Sequence, residues 1–173
     1  MACPFIIERK GESDMFREMR RRQQTLTQEE CKEILHRGAS GILAVSGDEG
    51  YPYAVPMSYV YADNGLYFHC ARNGHKIDAI RRNDKASFCV IDQDEIVPEQ
   101  YTTYFRSVIV FGKIHEVTTE DDLRKALMLL ARKYAPMRTE EQHRQAVHVE
   151  NVCVLRLDIE HMSGKQAIEL AKD

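Results

Sequence analysis

A chain of 173 residues, 43% of them hydrophobic, is long enough for one well-packed domain and short for two. Its formal net charge of −3 and isoelectric point near 6.2 argue against a dedicated nucleic-acid binder, which carries a basic excess. No apolar run reaches the length of a membrane span, and the start MACPFIIERKGESDMF lacks the basic region and apolar core of a secretory signal.

Residues 1–14 read as a loose leader, and 15–173 as a single domain. Arg17, Arg20, Arg21 and Arg22 form a basic run, read as a solvated turn or a face toward a partner subunit, with a phosphate-reaching arm as the alternative. Thr27-Gln28-Glu29-Glu30 is a capping box, with Leu26 and Cys31 placed to form the accompanying apolar staple. The helix it opens runs through Ile34 and Leu35 and should stop at Gly38. Gly41 to Ser46 is a short apolar strand, followed by a turn at Gly47–Gly50. Tyr53 to Tyr61 is the next strand, with Tyr53, Val55, Met57, Tyr59 and Tyr61 on one face by the period of two. Pro56 donates no ladder bond, so that position belongs to an edge, a bulge or a gap.

Asp63-Asn64-Gly65 supplies a positive-φ turn that closes a hairpin onto Leu66–Cys70. His75 to Arg82 reads as a short helix with Ile77 and Ile80 buried and Arg81 and Arg82 outside. Ala86 to Ile91 is a buried strand, Asp92 to Tyr104 an acidic loop, and Arg106 to Val117 another strand in which Gly112 marks a bulge or close approach. Thr118 or Thr119 caps a Leu/Ala-rich helix that ends before Pro136, and Thr139-Glu140-Glu141-Gln142 opens a further one. Val152 to Ile159 alternates as a final strand before Ser163-Gly164-Lys165. Short strands with hairpin signals and a few helices predict a mainly β fold, a small barrel with peripheral helices.

The five cysteines, Cys3, Cys31, Cys70, Cys89 and Cys153, are odd in number and widely spaced, which points to a reducing cytoplasm. Cys89 and Cys153 lie in apolar runs and read as small core residues.

The chemistry concentrates between Tyr51 and Val90. His75 and Lys76 follow Gly74 and begin a helix, so a phosphate there would meet unpaired backbone amides and a lysine; a solvated turn would look the same. His69 and Cys70 end a strand and point to opposite faces. A strand histidine is commonly a rim residue, but one facing a cofactor could donate a proton. Metal binding by His69, Cys70 and His75 is set aside because no four-ligand set is present. Ser58 and Ser107 could each hydrogen-bond the edge of a heterocycle or serve as polar rim residues. No serine-hydrolase elbow, Walker loop or dinucleotide fingerprint occurs.

Several segments, taken in order, resemble the pyridoxamine 5′-phosphate oxidase-like flavoproteins, most of all the branch of 5-nitroimidazole-resistance (Nim-type) proteins. They are MRRR at 19–22, GYPYAVPMSYVY at 50–61, LYFHCARNGHKIDAIRRNDKASFCV at 66–90, VIVFGKIHEV at 108–117 and LRLDIEHMSGK at 155–165. The resemblance implies an FMN-binding split β-barrel that forms a homodimer with flavin at the interface. It implies that Val55, Pro56, Met57, Ser58 and Tyr59 run alongside the isoalloxazine, and that His69, Cys70, Ala71, His75 and Lys76 lie toward the ribityl phosphate. His69 matches the histidine that Nim-type proteins place near the flavin and is the catalytic candidate. FAD is an alternative to FMN, NADH or NADPH a possible donor, and a small planar molecule the acceptor. The related oxidase has an arginine where His75 stands, which implies weaker or pH-dependent phosphate binding here, and its carboxyl-terminal Arg-x-His is not evident, which argues against vitamin B6 oxidation. A flavin-binding module without turnover, and a haem-binding split barrel with His69 or another histidine as a ligand, are the competing readings.

Overall fold

The computed structural model describes residues 15–150 and 152–171, and the expected leader at 1–14 lies outside them. Four helices and seven strands follow in order: α1 (Gln28–Arg37), β1 (Ser40–Ser46), β2 (Pro52–Ser58), β3 (Val60–Ala62), β4 (Gly65–Cys70), α2 (His75–Arg82), β5 (Lys85–Val97), β6 (Thr102–Glu116), α3 (Glu120–Tyr134), α4 (Glu140–Ala146) and β7 (Cys153–Gln166).

All strand pairs are antiparallel, in the order β2-β1-β5-β6-β7-β4-β3. The two edge strands, β2 and β3, are joined in sequence by Tyr59 alone. A single residue spans only ~3.5 Å, so the sheet has to curl until its edges meet. The result is the expected split β-barrel, with its seam at Tyr59. The predicted strand Tyr53–Tyr61 is thus two strands broken at that residue. Its inward face is as expected, because Tyr53, Val55, Met57, Tyr59 and Tyr61 all join the barrel core.

The seam is held by α3. The Tyr59 amide donates to the Tyr134 hydroxyl at 2.8 Å, and that hydroxyl lies 2.7 Å from the Tyr59 carbonyl and 2.5 Å from the Ala39 carbonyl. Inside the barrel, Tyr59 and Phe68 each meet Phe88 edge to face, with centroids 4.9 and 5.1 Å apart. α1 closes one end with Cys31, Ile34 and Leu35, and α2 closes the other with Ile77, Ala79 and Ile80. A second, smaller core forms where Val60, Tyr67 and Val154 on the outside of the sheet meet Ala126 and Leu130 of α3. Both faces of β4 are therefore covered along Gly65–Phe68.

Local sequence signals are obeyed closely. Thr27 and Glu30 form both halves of the capping box, and Thr139 and Gln142 do the same for α4. Thr119 caps α3. The hairpin between β3 and β4 turns through Asp63 and Asn64, both with positive φ, while Gly65 already pairs with Ala62. Gly38 does end α1, but with φ −61 it is not needed for a left-handed cap. A Cβ there would come within 2.6 Å of the Tyr59 hydroxyl, so close packing excludes a side chain. Gly112 is likewise a close approach: a Cβ would lie 1.9 Å from the Asp158 carbonyl, opposite the bulge that leaves Glu160 of β7 unpaired.

Three expectations need correction. Asp92–Tyr104 is mostly strand, paired from Gln93↔Arg106 to Val97↔Thr102. The arm passes beyond the barrel and has no core to face, so it carries no apolar alternation, and Ile96 is 75% exposed. The last strand continues past Ile159 through Ser163-Gly164-Lys165 to Gln166. Cys89 is not a core residue: it lies between Ile42 and Ile109 on the outer sheet face, whereas Cys153 is buried as expected.

Candidate functional site

The alternation of β2 divides the predicted flavin strand in two. Val55, Met57 and Tyr59 turn their side chains into the barrel, and the Tyr59 hydroxyl donates to the Leu35 carbonyl at 2.8 Å. Burial pushes that phenol well above its ordinary value. Pro56 and Ser58 face outward. β2 pairs only with β1 in the sheet, which suits Pro56 and leaves a row of backbone groups along the free edge.

Ser58 and His69 meet at one cavity. They line one side of a space of about 380 Å³, and Leu127, Leu130, Ala131 and Tyr134 of α3 form the other. Ala146, Val147, His148 and Val152 complete its rim. Among the described residues neither the His69 nor the His148 side chain has a hydrogen bond or ion pair. Sequence reasoning missed the helical wall and His148. The signal was present, because Leu127, Leu130, Ala131 and Tyr134 follow the i, i+3, i+4, i+7 spacing of one helix face.

Cys70 points the opposite way from His69, toward the barrel core. It stands across from Cys153 on β7, and Cys153 in turn donates to Glu116 at 3.7 Å. Burial, with Cys70 and Glu116 adding to it, pushes the Cys153 thiol up to about 12. Burial also raises Cys70, against the opposing pull of Lys76. The Lys76 Nζ lies 3.5 Å from the Met57 sulfur and has no carboxylate partner among the described residues.

At the start of α2, Gly74 has φ +127 and offers no side-chain cap. The amides of Ile77 and Asp78 turn back to its carbonyl, and those of His75 and Lys76 have no backbone partner among the described residues. This is an opening suited to an anion. The His75 ring stacks on Tyr53 with centroids 4.1 Å apart, and its Nε2 lies 3.3 Å from Asp48. Asp48 is also bound by Arg82, which, with His75 as a smaller contributor, holds its carboxyl below the usual range. Ala71 is exposed between the two regions.

Ser107 stands apart. It pairs with Ile91 and Lys165 on the outer sheet face, with β1 and β5 between its strand and β2. Three strand spacings separate it from β2 by roughly 14 Å measured along the sheet. That outer face carries Ile42, Ile91, Ile109 and Phe111, all at least 36% exposed. Among the described residues no cluster of three His, Cys, Asp or Glu side chains is arranged for a metal ion, and no helix is long and apolar enough to cross a membrane.

Comparison with known proteins places this geometry in context. A candidate 5-nitroimidazole antibiotic resistance protein from Bacteroides thetaiotaomicron is 22% identical, with 82% of this chain and 86% of that chain covered and a TM-score of 0.68. An FAD-binding protein from Mesorhizobium loti is 27% identical, with 83% and 97% covered and a TM-score of 0.60. The flavocytochrome Anf3 from Azotobacter vinelandii is 21% identical, with 90% and 74% covered and a TM-score of 0.75. None of the curated proteins matches the chain. The sequence profile of the pyridoxamine 5′-phosphate oxidase family matches residues 27–166, from the cap of α1 to the last residue of β7, and the chain therefore belongs to that family.

Proposed function

We propose that this protein is an FMN-dependent oxidoreductase that works as a homodimer and reduces small planar acceptors such as 5-nitroimidazoles. The observation that carries the reading is the pairing of two features at neighbouring strand ends. One is an anion-ready helix start at Gly74-His75-Lys76; the other is a cavity with His69 and Ser58 at its polar side. The structure tests the fit of a flavin nucleotide in one respect: Lys76 and the open amides of α2 supply cationic and hydrogen-bonding groups that no described carboxylate neutralises.

In this reading His75, Lys76 and the α2 amides hold the terminal phosphate. The free edge of β2 runs beside the ring system, and Ser58 offers a hydroxyl to a polar edge. When bound, the flavin supplies the electron transfer, with NADH or NADPH as the donor. A ring N–H of His69 gives a proton to an oxygen of the acceptor, and the apolar α3 wall limits water there. The second copy would cover the outer face around Ile42, Ile109 and Phe111 and bring Ser107 into the shared interface. A cytoplasmic location belongs to the same proposal and rests on the scattered cysteines.

The test is the spectrum and turnover of the purified protein. A flavin band near ~450 nm, bleaching with NADH or NADPH, and recovery with a nitroimidazole faster than with oxygen alone are the expected results. Lys76→Ala should weaken FMN retention roughly tenfold or more, the value of one charge-assisted hydrogen bond. A Soret band, or a flavin that only oxygen reoxidises, would refute the reductase.

A further inference from the structure

We infer that the cavity against α3 and α4 is a selective pocket for planar aromatic molecules that carry an oxygen acceptor group, nitro or carboxylate, and that His148 is a substrate-binding residue in it. As an acceptor site this deepens the reductase reading and rests on it; as a binding pocket it can be tested by itself.

The lining decides the ligand class. Leu127, Leu130 and Ala131 give an apolar wall on one helix face, continued by Val147 and Val152. A flat ring buried there gains by apolar contact. The cavity of about 380 Å³ lies at the small end of ligand pockets, which suits one ring better than a fused system. Tyr134 adds its ring but no free hydroxyl, since that group is taken up by the seam at Tyr59.

With Ser58 given to the flavin edge, the polar groups left to meet a ligand are His69 and His148. An imidazole presents at least one N–H whether neutral or charged, so two histidines from different elements offer two donors. None of the lining residues is an acid, a lysine or an arginine. A cationic ligand would lose its hydration with nothing to replace it. A ligand oxygen shared by His69 and His148 would be held from two sides, with the ring along α3. His69 belongs to the β4 ladder, while His148 follows α4, so the two donors come from separate elements of the cavity lining.

Benzoate and benzylamine, equal in ring and opposite in charge, are the probes. Their binding to the purified protein is measured by calorimetry, and flavin content is read by absorbance in the same samples. Benzoate should bind, and benzylamine should bind at least tenfold more weakly. His148→Ala should weaken benzoate about tenfold, His148→Gln should recover most of the loss by restoring a donor, and Ala131→Trp should abolish binding by filling the space. Equal binding of the two probes, or unaltered benzoate affinity in His148→Ala, would overturn the inference. A yellow protein with that second result refutes the pocket and leaves the flavin reading intact. A colourless protein that binds benzoate through His148 does the reverse.

Discussion

Replacing Tyr134 by phenylalanine tests the account of the barrel seam, because it removes one oxygen and leaves the ring in place. That oxygen accepts from the Tyr59 amide at 2.8 Å and shares its single proton between the Tyr59 and Ala39 carbonyls, at 2.7 and 2.5 Å. Without it the amide loses its only partner among the described residues, at a position that belongs to neither the β1–β2 nor the β3–β4 ladder. An unmet, partly buried donor costs about 1–3 kcal/mol, whereas the carbonyls keep a second lone pair and add less. The expected loss is about 2 kcal/mol, or roughly 4–8 °C in melting temperature for a domain of this size. Urea unfolding at matched protein concentration gives the free energy, and an unchanged m value would show that the native surface is the same. Hydrogen exchange at the Tyr59 amide should quicken selectively. A change below about 0.5 kcal/mol, the range of ordinary surface substitutions, would mean that the hydroxyl does not hold the seam.

Three further outcomes follow from the geometry. Gly112→Ala should destabilise the fold by about 3 kcal/mol, because the new methyl would overlap the Asp158 carbonyl; a normal thermal melt would refute the close approach. Ile109→Asp places a charge at the centre of the exposed apolar face and should turn the proposed homodimer into a monomer in sedimentation; a wild type that already sediments as a monomer, or a dimer unchanged by the substitution, would refute this interface. Burial, aided by Glu30 and Glu29, pushes the Cys31 thiol from 9.0 up to about 11, so its stabilising contribution is complete below pH 9 and fades as pH climbs toward 11. Lys133, lowered by burial from 10.5 to about 8, acts with the opposite sign over pH 8–10.5, and subtracting Cys31→Ala from wild type cancels it. Under reducing conditions, wild type should lose more stability than Cys31→Ala across pH 9–11; parallel curves would refute the assignment.

Where a local rule governs, the chain could be read directly. Thr27 with Glu30 and Thr139 with Gln142 name their helices, and Asp63-Asn64 names its hairpin, because capping and turn chemistry act within four residues. Period-two alternation placed Tyr53, Val55 and Met57 inside and left Pro56 and Ser58 outside. What stayed hidden depends on distant partners. The arm after Ile91 is strand because two chain segments pair beyond the barrel, and Cys89 faces outward because β5 is apolar on both sides. The candidate site was legible residue by residue but not as an arrangement. His69 and Lys76 were both singled out, yet only the curl of the sheet shows that one faces α3 and the other the end of the barrel. Tyr134 comes from α3 and His148 from the segment after α4, and no short-range signal specifies how either docks.

The two-residue turn at Asp63-Asn64 also decides which functional group the α3 cavity receives. The turn fixes the step of β4 against β3 at Ala62↔Gly65, and β4 lies against β7 in unbroken step from Gly65↔Asp158 to Cys70↔Cys153. Shifting the ladder by one position would trade neighbours along β4, sending a thiol into the cavity and an imidazole into the apolar interior. Lengthening this hairpin by a single residue is therefore a change of chemistry and not merely of loop length, even though the turn itself touches neither group.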